Sequence, residues 1–127
     1  MAKTKITVVL VEDEKMLADM YATKFAMEGF NAHKANDGAA GLEVIRDVKP
    51  DIILLDIIMP KIDGFGVLKM LKDDAALKDI PVILLTNLGQ DEDIKKGKEL
   101  GAADYFVKAN HTPAEVVTKV KQVLKIT

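Results

Sequence analysis

Acidic residues follow two of the aliphatic runs in the sequence, and their type and position suit a divalent cation. Residues 6–11 are followed by Glu12 and Asp13, and residues 52–55 are followed by Asp56. Two carboxylates about 4 Å apart repel each other by roughly 1 kcal/mol in water, and by more when partly desolvated. Mg²⁺ prefers a few carboxylate oxygens, a backbone carbonyl and retained waters. Because the two runs should be neighbouring strands, we expect a Mg²⁺ site here, with a solvated acidic rim as the alternative.

Two further polar residues follow aliphatic or aromatic runs later in the chain. Thr86 follows residues 82–85, and Lys108 follows residues 105–107. Either residue alone is commonly a turn residue or a solubilising charge. Together with the acids and a cation, however, a hydroxyl and an ammonium group could hold a phosphoryl group, and a carboxylate oxygen can act as the nucleophile. The set therefore predicts a site that binds a phosphoryl group.

A parallel sheet would bring these strand ends together. The main aliphatic runs do not alternate with polar residues, which is typical of parallel strands buried on both faces. Segments of helical periodicity separate the strands, so the sequence predicts an α/β fold with helices on both faces of the sheet. The predicted strands are 6–11, 30–34, 52–55, 82–85 and 105–107, and the predicted helices are 15–27, 37–47, 65–71, 94–100 and 116–124. Ligands of such sheets bind beyond the carboxyl ends of the strands.

Two details of the helices are specific enough to test. The sequence from Thr112 to Glu115 is a capping box with proline at the first helical position, which predicts a helix start. The first helix carries methionines at approximately helical spacing, and we expect them in the core: Met16, Met20 and Met27.

Composition excludes several classes of function. The 127 residues suit a single domain, 1–127, with one core, and 49% of them are hydrophobic and 30% charged. A net charge of -2 provides no broad basic surface for nucleic acid or for a membrane. The absence of cysteine excludes disulfides and thiolate chemistry. No apolar run approaches the ~20 residues of a membrane span, so we expect a cytoplasmic protein.

The ordered motifs resemble the receiver domain of response regulators over roughly residues 5–124. The resemblance depends on an acidic pair after the first strand, followed in order by Asp56, Met59-Pro60, Gly64, Thr86 and Lys108. It implies a doubly wound, flavodoxin-like fold, in which a five-stranded parallel sheet of order 2-1-3-4-5 is flanked by five helices. It also implies a role in two-component signal transduction.

The resemblance implies a role for each acidic residue. Asp56 would accept a phosphoryl group from a histidine kinase or a histidine phosphotransfer protein. Glu12, Asp13 and Asp56 would bind Mg²⁺ together with the backbone carbonyl of Ile58. We do not expect the domain to be an enzyme.

The resemblance also implies a switch. Thr86 and Lys108 would contact the phosphoryl group, and Tyr105 would rotate inward as Thr86 moves; the alternative for Tyr105 is a half-buried aromatic residue on an edge strand. The surface that binds a downstream protein would consist of residues 91–100, 105–107 and 112–124. We expect a monomer or a weak homodimer that binds neither nucleic acid nor membrane.

The sequence departs from the family pattern at three places. Ala109 stands where proline usually follows the lysine, so a cis bond there would cost roughly 2.5–4 kcal/mol. Asn87 follows Thr86, where a small residue is usual, and could crowd the phosphoryl pocket. Ile58 and Leu88 are apolar and cannot orient an attacking water, which predicts slow loss of the phosphoryl group.

Other functions remain as alternatives. A flavodoxin-type electron carrier shares the fold, but the acids after the first strand would repel the phosphate of FMN. An aspartyl-phosphate phosphatase needs a second acid two residues after its nucleophile, where this chain has Ile58. A phosphorelay intermediate and a degenerate receiver that binds a protein constitutively remain open.

Overall fold

Five parallel strands form a sheet in the order β2-β1-β3-β4-β5, as the sequence analysis predicted. The computed structural model describes residues 5–86, 91–108 and 112–126. Within these ranges strands and helices alternate: β1 (Thr7–Val11), α1 (Lys15–Met27), β2 (Asn31–Ala35), α2 (Gly38–Val48), β3 (Ile52–Asp56), α3 (Gly64–Lys72), β4 (Val82–Thr86), α4 (Asp91–Glu99), β5 (Asp104–Val107) and α5 (Pro113–Leu124).

The three central strands, β1, β3 and β4, are buried along their whole length. Their uninterrupted aliphatic runs follow from this position, because both faces of the sheet are covered by helices. The strand pairing brings the carboxyl ends close together: Val11 pairs with Leu55, Asp56 with Leu85, and Thr86 with Val107. Asp56 and Thr86 are therefore the last residues of their strands, one position beyond the predicted ends.

The sheet separates two hydrophobic cores. On one face, β-sheet residues such as Leu10, Leu54 and Phe106 pack against α1 and α5. On the other face, Val9, Leu55 and other sheet residues pack against α2 and α3. None of the helices in the described ranges is long and apolar enough to cross a membrane.

The prediction for the α1 methionines was wrong. Met16, Met20 and Met27 are 88%, 48% and 74% exposed. At about 100° per residue, these three positions lie on one side of the helix, while the buried residues Tyr21 and Phe25 lie roughly opposite. Spacing at helical intervals shows that residues share a face, but it does not show whether that face points to the sheet.

The helix starts follow from their capping residues. Asp37 and Asp63 cap α2 and α3 by accepting hydrogen bonds from backbone N–H groups three residues later. The predicted capping box at α5 is confirmed, because Thr112 and Glu115 bond reciprocally. The predicted effects of Asn87, Leu88 and Ala109 concern residues outside the described ranges.

Helix α4 begins earlier than its apolar residues predicted, at Asp91. Its first turn consists of acids, which interact favourably with the positive end of the helix dipole. Gly97 is its buried residue, and a Cβ atom there would lie 2.3 Å from Cδ1 of Leu84. A glycine therefore allows this polar helix to pack closely on the sheet.

Candidate functional site

Three carboxylates converge at the carboxyl end of the sheet. Glu12 and Asp13 follow β1, and Asp56 ends the neighbouring strand β3. An oxygen atom of each lies within 4.8 Å of the other two. Glu12 and Asp56 are 0% and 4% exposed, whereas Asp13 is exposed to solvent. The cluster therefore has two buried acids and one that faces outward.

Lys108 reaches this cluster from the far side of the sheet. It follows β5, and its Nζ atom lies 2.6 Å from Glu12 Oε1 and 3.4 Å from Asp56 Oδ1. Strands β3 and β4 lie between β1 and β5, so the lysine side chain extends over two strand ends to form the shorter contact. All three charged side chains are almost completely buried.

Burial and neighbouring charges shift the pKa values of the buried groups. Burial, together with a hydrogen-bonding contact and charge repulsion from Glu12, raises the pKa of Asp56 from its ordinary value of 3.8 to about 8, although Lys108 opposes this. Burial disfavours the charged form of Lys108, but the hydrogen bond to Glu12 and attraction by both acids raise its pKa overall. The lysine is therefore charged, while a proton on Asp56 relieves the repulsion between the acids.

Thr86 and Tyr105 lie on the same face of the sheet. Thr86, buried at the end of β4, pairs with Val107, and Leu84 pairs with Tyr105. Because alternate residues of a strand share a face, Thr86 and Tyr105 point to the side that carries α4. Tyr105 is partly buried, and Lys98 of α4 lies 5.5 Å from the centre of its ring.

The loop after β3 is fixed by close backbone contacts. The N–H of Ile57 donates to Leu85 O, and the N–H of Gly64 donates to Ile57 O at 2.8 Å. A Cβ atom at Gly64 would lie 2.3 Å from the carbonyl oxygen of Asp56. Lys61 adopts a φ of 68°, which L-residues seldom do. Within this loop the side chain of Ile58 is 68% exposed.

The donor set fits a hard divalent cation. Three carboxylates carry up to three negative charges. Among the described residues, Lys108 supplies the one ammonium group in direct contact, and it cannot balance them. Carboxylate oxygen is the ligand that Mg²⁺ prefers, and the exposure of Asp13 leaves room for waters on the ion.

Sequence reasoning missed two features of this site. It assigned Glu12 to the metal and Lys108 to the phosphoryl group, and did not predict the ion pair between them. It also did not place Tyr21 near the site. Burial raises the pKa of Tyr21, and the charges of Lys108, Glu12 and Asp56 also act on it, so this residue lies within electrostatic range of the site. Neither feature leaves a signal in sequence spacing.

Comparison with known proteins identifies relatives over almost the whole chain. The family described as the response regulator receiver domain matches residues 8–121. A probable transcriptional regulator, ycf27, of Guillardia theta is 38% identical over 125 residues, which cover 98% of this chain and 48% of the relative. The phosphate regulon transcriptional regulatory protein PhoB of Pseudomonas aeruginosa is 37% identical over 121 residues, which cover 95% of this chain and 52% of the relative. The chain thus spans about half the length of these relatives.

Solved structures show the same fold. The chemotaxis response regulator CheY4 of Vibrio cholerae superposes with a TM-score of 0.88 at 26% identity, covering 94% of this chain and 99% of that one. A putative response regulator from Chloroflexus aurantiacus also gives a TM-score of 0.88, at 30% identity, with coverage of 95% and 98%.

Proposed function

The chain belongs to the response regulator receiver domain family, and we propose that it accepts a phosphoryl group on Asp56 from a histidine kinase or a histidine phosphotransfer protein. Domains of this family act in two-component signalling. One observation carries the proposal: Asp56 lies at the carboxyl end of the sheet beside two further carboxylates and the ammonium group of Lys108. With a divalent cation on the carboxylates, this combination could bind a phosphoryl group and balance its charge.

The transfer forms one bond and breaks another. A carboxylate oxygen of Asp56 attacks the phosphorus atom of a phosphohistidine, and the P–N bond breaks with its electron pair returning to the imidazole. The product is an acyl phosphate on Asp56. Lys108, already 3.4 Å from Asp56 Oδ1, can pair with a phosphoryl oxygen after a small movement. Thr86, at the end of the next strand, would donate a hydrogen bond from its hydroxyl.

The acidic cluster supports a Mg²⁺ requirement. The carboxylates of Glu12, Asp13 and Asp56 and the backbone carbonyl of Ile58 would hold the ion. When bound, Mg²⁺ neutralises negative charge on the reacting oxygens. In its absence the high pKa of Asp56 leaves this carboxyl group largely protonated near neutral pH, which makes it a poor nucleophile.

Phosphorylation would act by changing which protein the domain binds. The acyl phosphate would carry about -1.5 to -2 charge next to Thr86. Thr86 and Tyr105 share a face of the sheet, so movement of the first can be transmitted to the second and to the surface of α4, β5 and α5. The relatives are named as transcriptional regulators, but this chain has a net charge of -2, which favours a protein rather than nucleic acid as its direct partner.

Intact-protein mass spectrometry after incubation with acetyl phosphate and Mg²⁺ tests the proposal. We expect the wild type to gain one phosphoryl group and to gain none in EDTA. The Asp56→Asn variant should gain none under either condition. If neither acetyl phosphate nor a histidine kinase phosphorylates the wild type, the domain is instead a constitutive protein-binding module.

A further inference from the structure

Both oxygens of the Glu12 carboxylate are bound by the protein itself. Oε1 accepts a hydrogen bond from Lys108 Nζ at 2.6 Å, and Oε2 accepts one from the backbone N–H of Glu14 at 3.2 Å. The side chain is fully buried. By contrast, Asp13, the next residue, is exposed. Glu12 is therefore held in a single orientation that points toward the lysine.

The geometry of the sheet explains why these side chains meet. Glu12, Asp56 and Lys108 each stand two residues after a residue that faces the α1 and α5 core, namely Leu10, Leu54 and Phe106. Because alternate residues point to the same side, the three charged groups converge on one face of the sheet. Of the two acids, Glu12 makes the shorter contact with Lys108, at 2.6 Å against 3.4 Å for Asp56.

We propose that Glu12 is a positioning residue that fixes the Lys108 ammonium group beside Asp56. A lysine side chain has many rotamers, and holding it in place before the reaction removes the cost of ordering it when the phosphoryl group arrives. The proposal rests on the proposed function, because the lysine matters only if Asp56 is phosphorylated.

A double-mutant cycle tests whether Glu12 acts through Lys108. The initial rate of phosphorylation by acetyl phosphate is measured for the wild type, Glu12→Gln, Lys108→Met and the double variant, at a Mg²⁺ concentration shown to be saturating for each. We expect each single variant to be slower by about tenfold or more, and the double variant to match Lys108→Met within about twofold. If the two effects multiply instead, Glu12 acts independently of Lys108 and the proposal is wrong.

Asp13→Asn is the matched control for this cycle. Asp13 is adjacent to Glu12 but exposed, and no contact with Lys108 is found for it among the described residues. We expect Asp13→Asn to raise the Mg²⁺ concentration needed for half-maximal rate by a similar factor with Lys108 present or replaced. If the Asp13 effect instead vanished in the Lys108→Met background, the coupling would not be specific to Glu12, which would overturn the proposal.

Lysine side-chain NMR gives a readout that needs no phosphorylation. In the metal-free protein, we expect the slowly exchanging ammonium signal of Lys108 to persist in Asp56→Asn and to disappear in Glu12→Gln, with backbone amide spectra confirming that both variants fold. The opposite pattern would show that Asp56 holds the lysine and would overturn the inference. A wild type that shows the predicted ammonium pattern but takes up no phosphoryl group would contradict the proposed function instead.

Discussion

Lys108 and Glu12 form a buried ion pair across the carboxyl end of the sheet, although strands β3 and β4 separate the two strands that these residues follow. The contact joins the residue that follows the first strand to the residue that follows the last strand. A buried pair of this kind leaves an uncompensated charge if one partner is removed. Because Asp56 Oδ1 lies 3.4 Å from the same ammonium group, a change in the charge of Asp56 acts directly on this pair.

Replacing Asp56 should stabilise the metal-free protein at alkaline pH. Below pH about 4 this carboxyl is protonated in both the folded and the unfolded states. Between pH about 4 and about 8 the unfolded chain loses the proton while the folded state keeps it, so the free energy of unfolding falls as pH rises. Asp56→Asn has no carboxyl group at this position, so its free energy of unfolding does not fall in this way. The difference between the variant and the wild type should therefore grow to the order of a few kcal/mol at pH 8.

Urea unfolding of both proteins in EDTA at several pH values checks this prediction. Addition of Mg²⁺ at pH 8 is the control, because it should stabilise the wild type and have little effect on Asp56→Asn. A difference in unfolding free energy that stays constant between pH 4 and 8 would contradict the raised pKa of Asp56.

Ile58 should slow the hydrolysis of the acyl phosphate. Its side chain is 68% exposed two residues after Asp56, and it cannot form a hydrogen bond with an attacking water. We expect Ile58→Asn to shorten the lifetime of the phosphorylated protein by about 3- to 10-fold, a modest part of what a positioned polar group can contribute. Decay of the phosphorylated mass after donor removal measures this, with Ile58→Val as the apolar control. Equal lifetimes for all three proteins would remove this role for position 58.

Gly64 should be indispensable for the shape of the phosphoacceptor loop. A Cβ atom there would lie 2.3 Å from Asp56 O and 2.7 Å from Ile57 Cα, and backbone atoms cannot easily move. We expect Gly64→Ala to lower the free energy of unfolding by about 1–3 kcal/mol and to weaken Mg²⁺ binding. Gly66→Ala is the matched control, because its Cβ would meet a side-chain methyl carbon, Cγ2 of Ile62, at 3.0 Å. An equal loss of stability in the two variants would contradict this role of Gly64.

Lys61 stores backbone strain in the same loop. Its φ of 68° lies in the left-handed region, which costs an L-residue with a Cβ atom about 1–2 kcal/mol. Glycine removes this cost, but it also makes the unfolded chain more flexible, which favours unfolding. We therefore expect Lys61→Gly to raise the free energy of unfolding by up to about 1 kcal/mol. Thermal unfolding compares it with Lys61→Ala, which removes the lysine side chain but keeps the Cβ atom. An equal gain from alanine would show that the lysine side chain, rather than the backbone, is the cause.

Much of the fold could be predicted from the sequence, because aliphatic runs buried on both faces have few alternatives to a parallel sheet. Because parallel strands have their carboxyl ends at the same edge of the sheet, the predicted strand ends also place Asp56 and Thr86 at that edge. The exposure of Met16 could not be predicted in this way, because the phase of a helix depends on which face meets the sheet. The ion pair between Lys108 and Glu12 could not be predicted either, because it depends on how far a long side chain extends across neighbouring strands.

Chemical trapping of the phosphorylated residue tests the central claim most directly. Borohydride reduces an aspartyl phosphate to homoserine, and tandem mass spectrometry of peptides from the treated protein then identifies the position. We expect homoserine at position 56 after incubation with acetyl phosphate and Mg²⁺, and none in the EDTA control. Reduction at position 13, or at any acid other than Asp56, would contradict it.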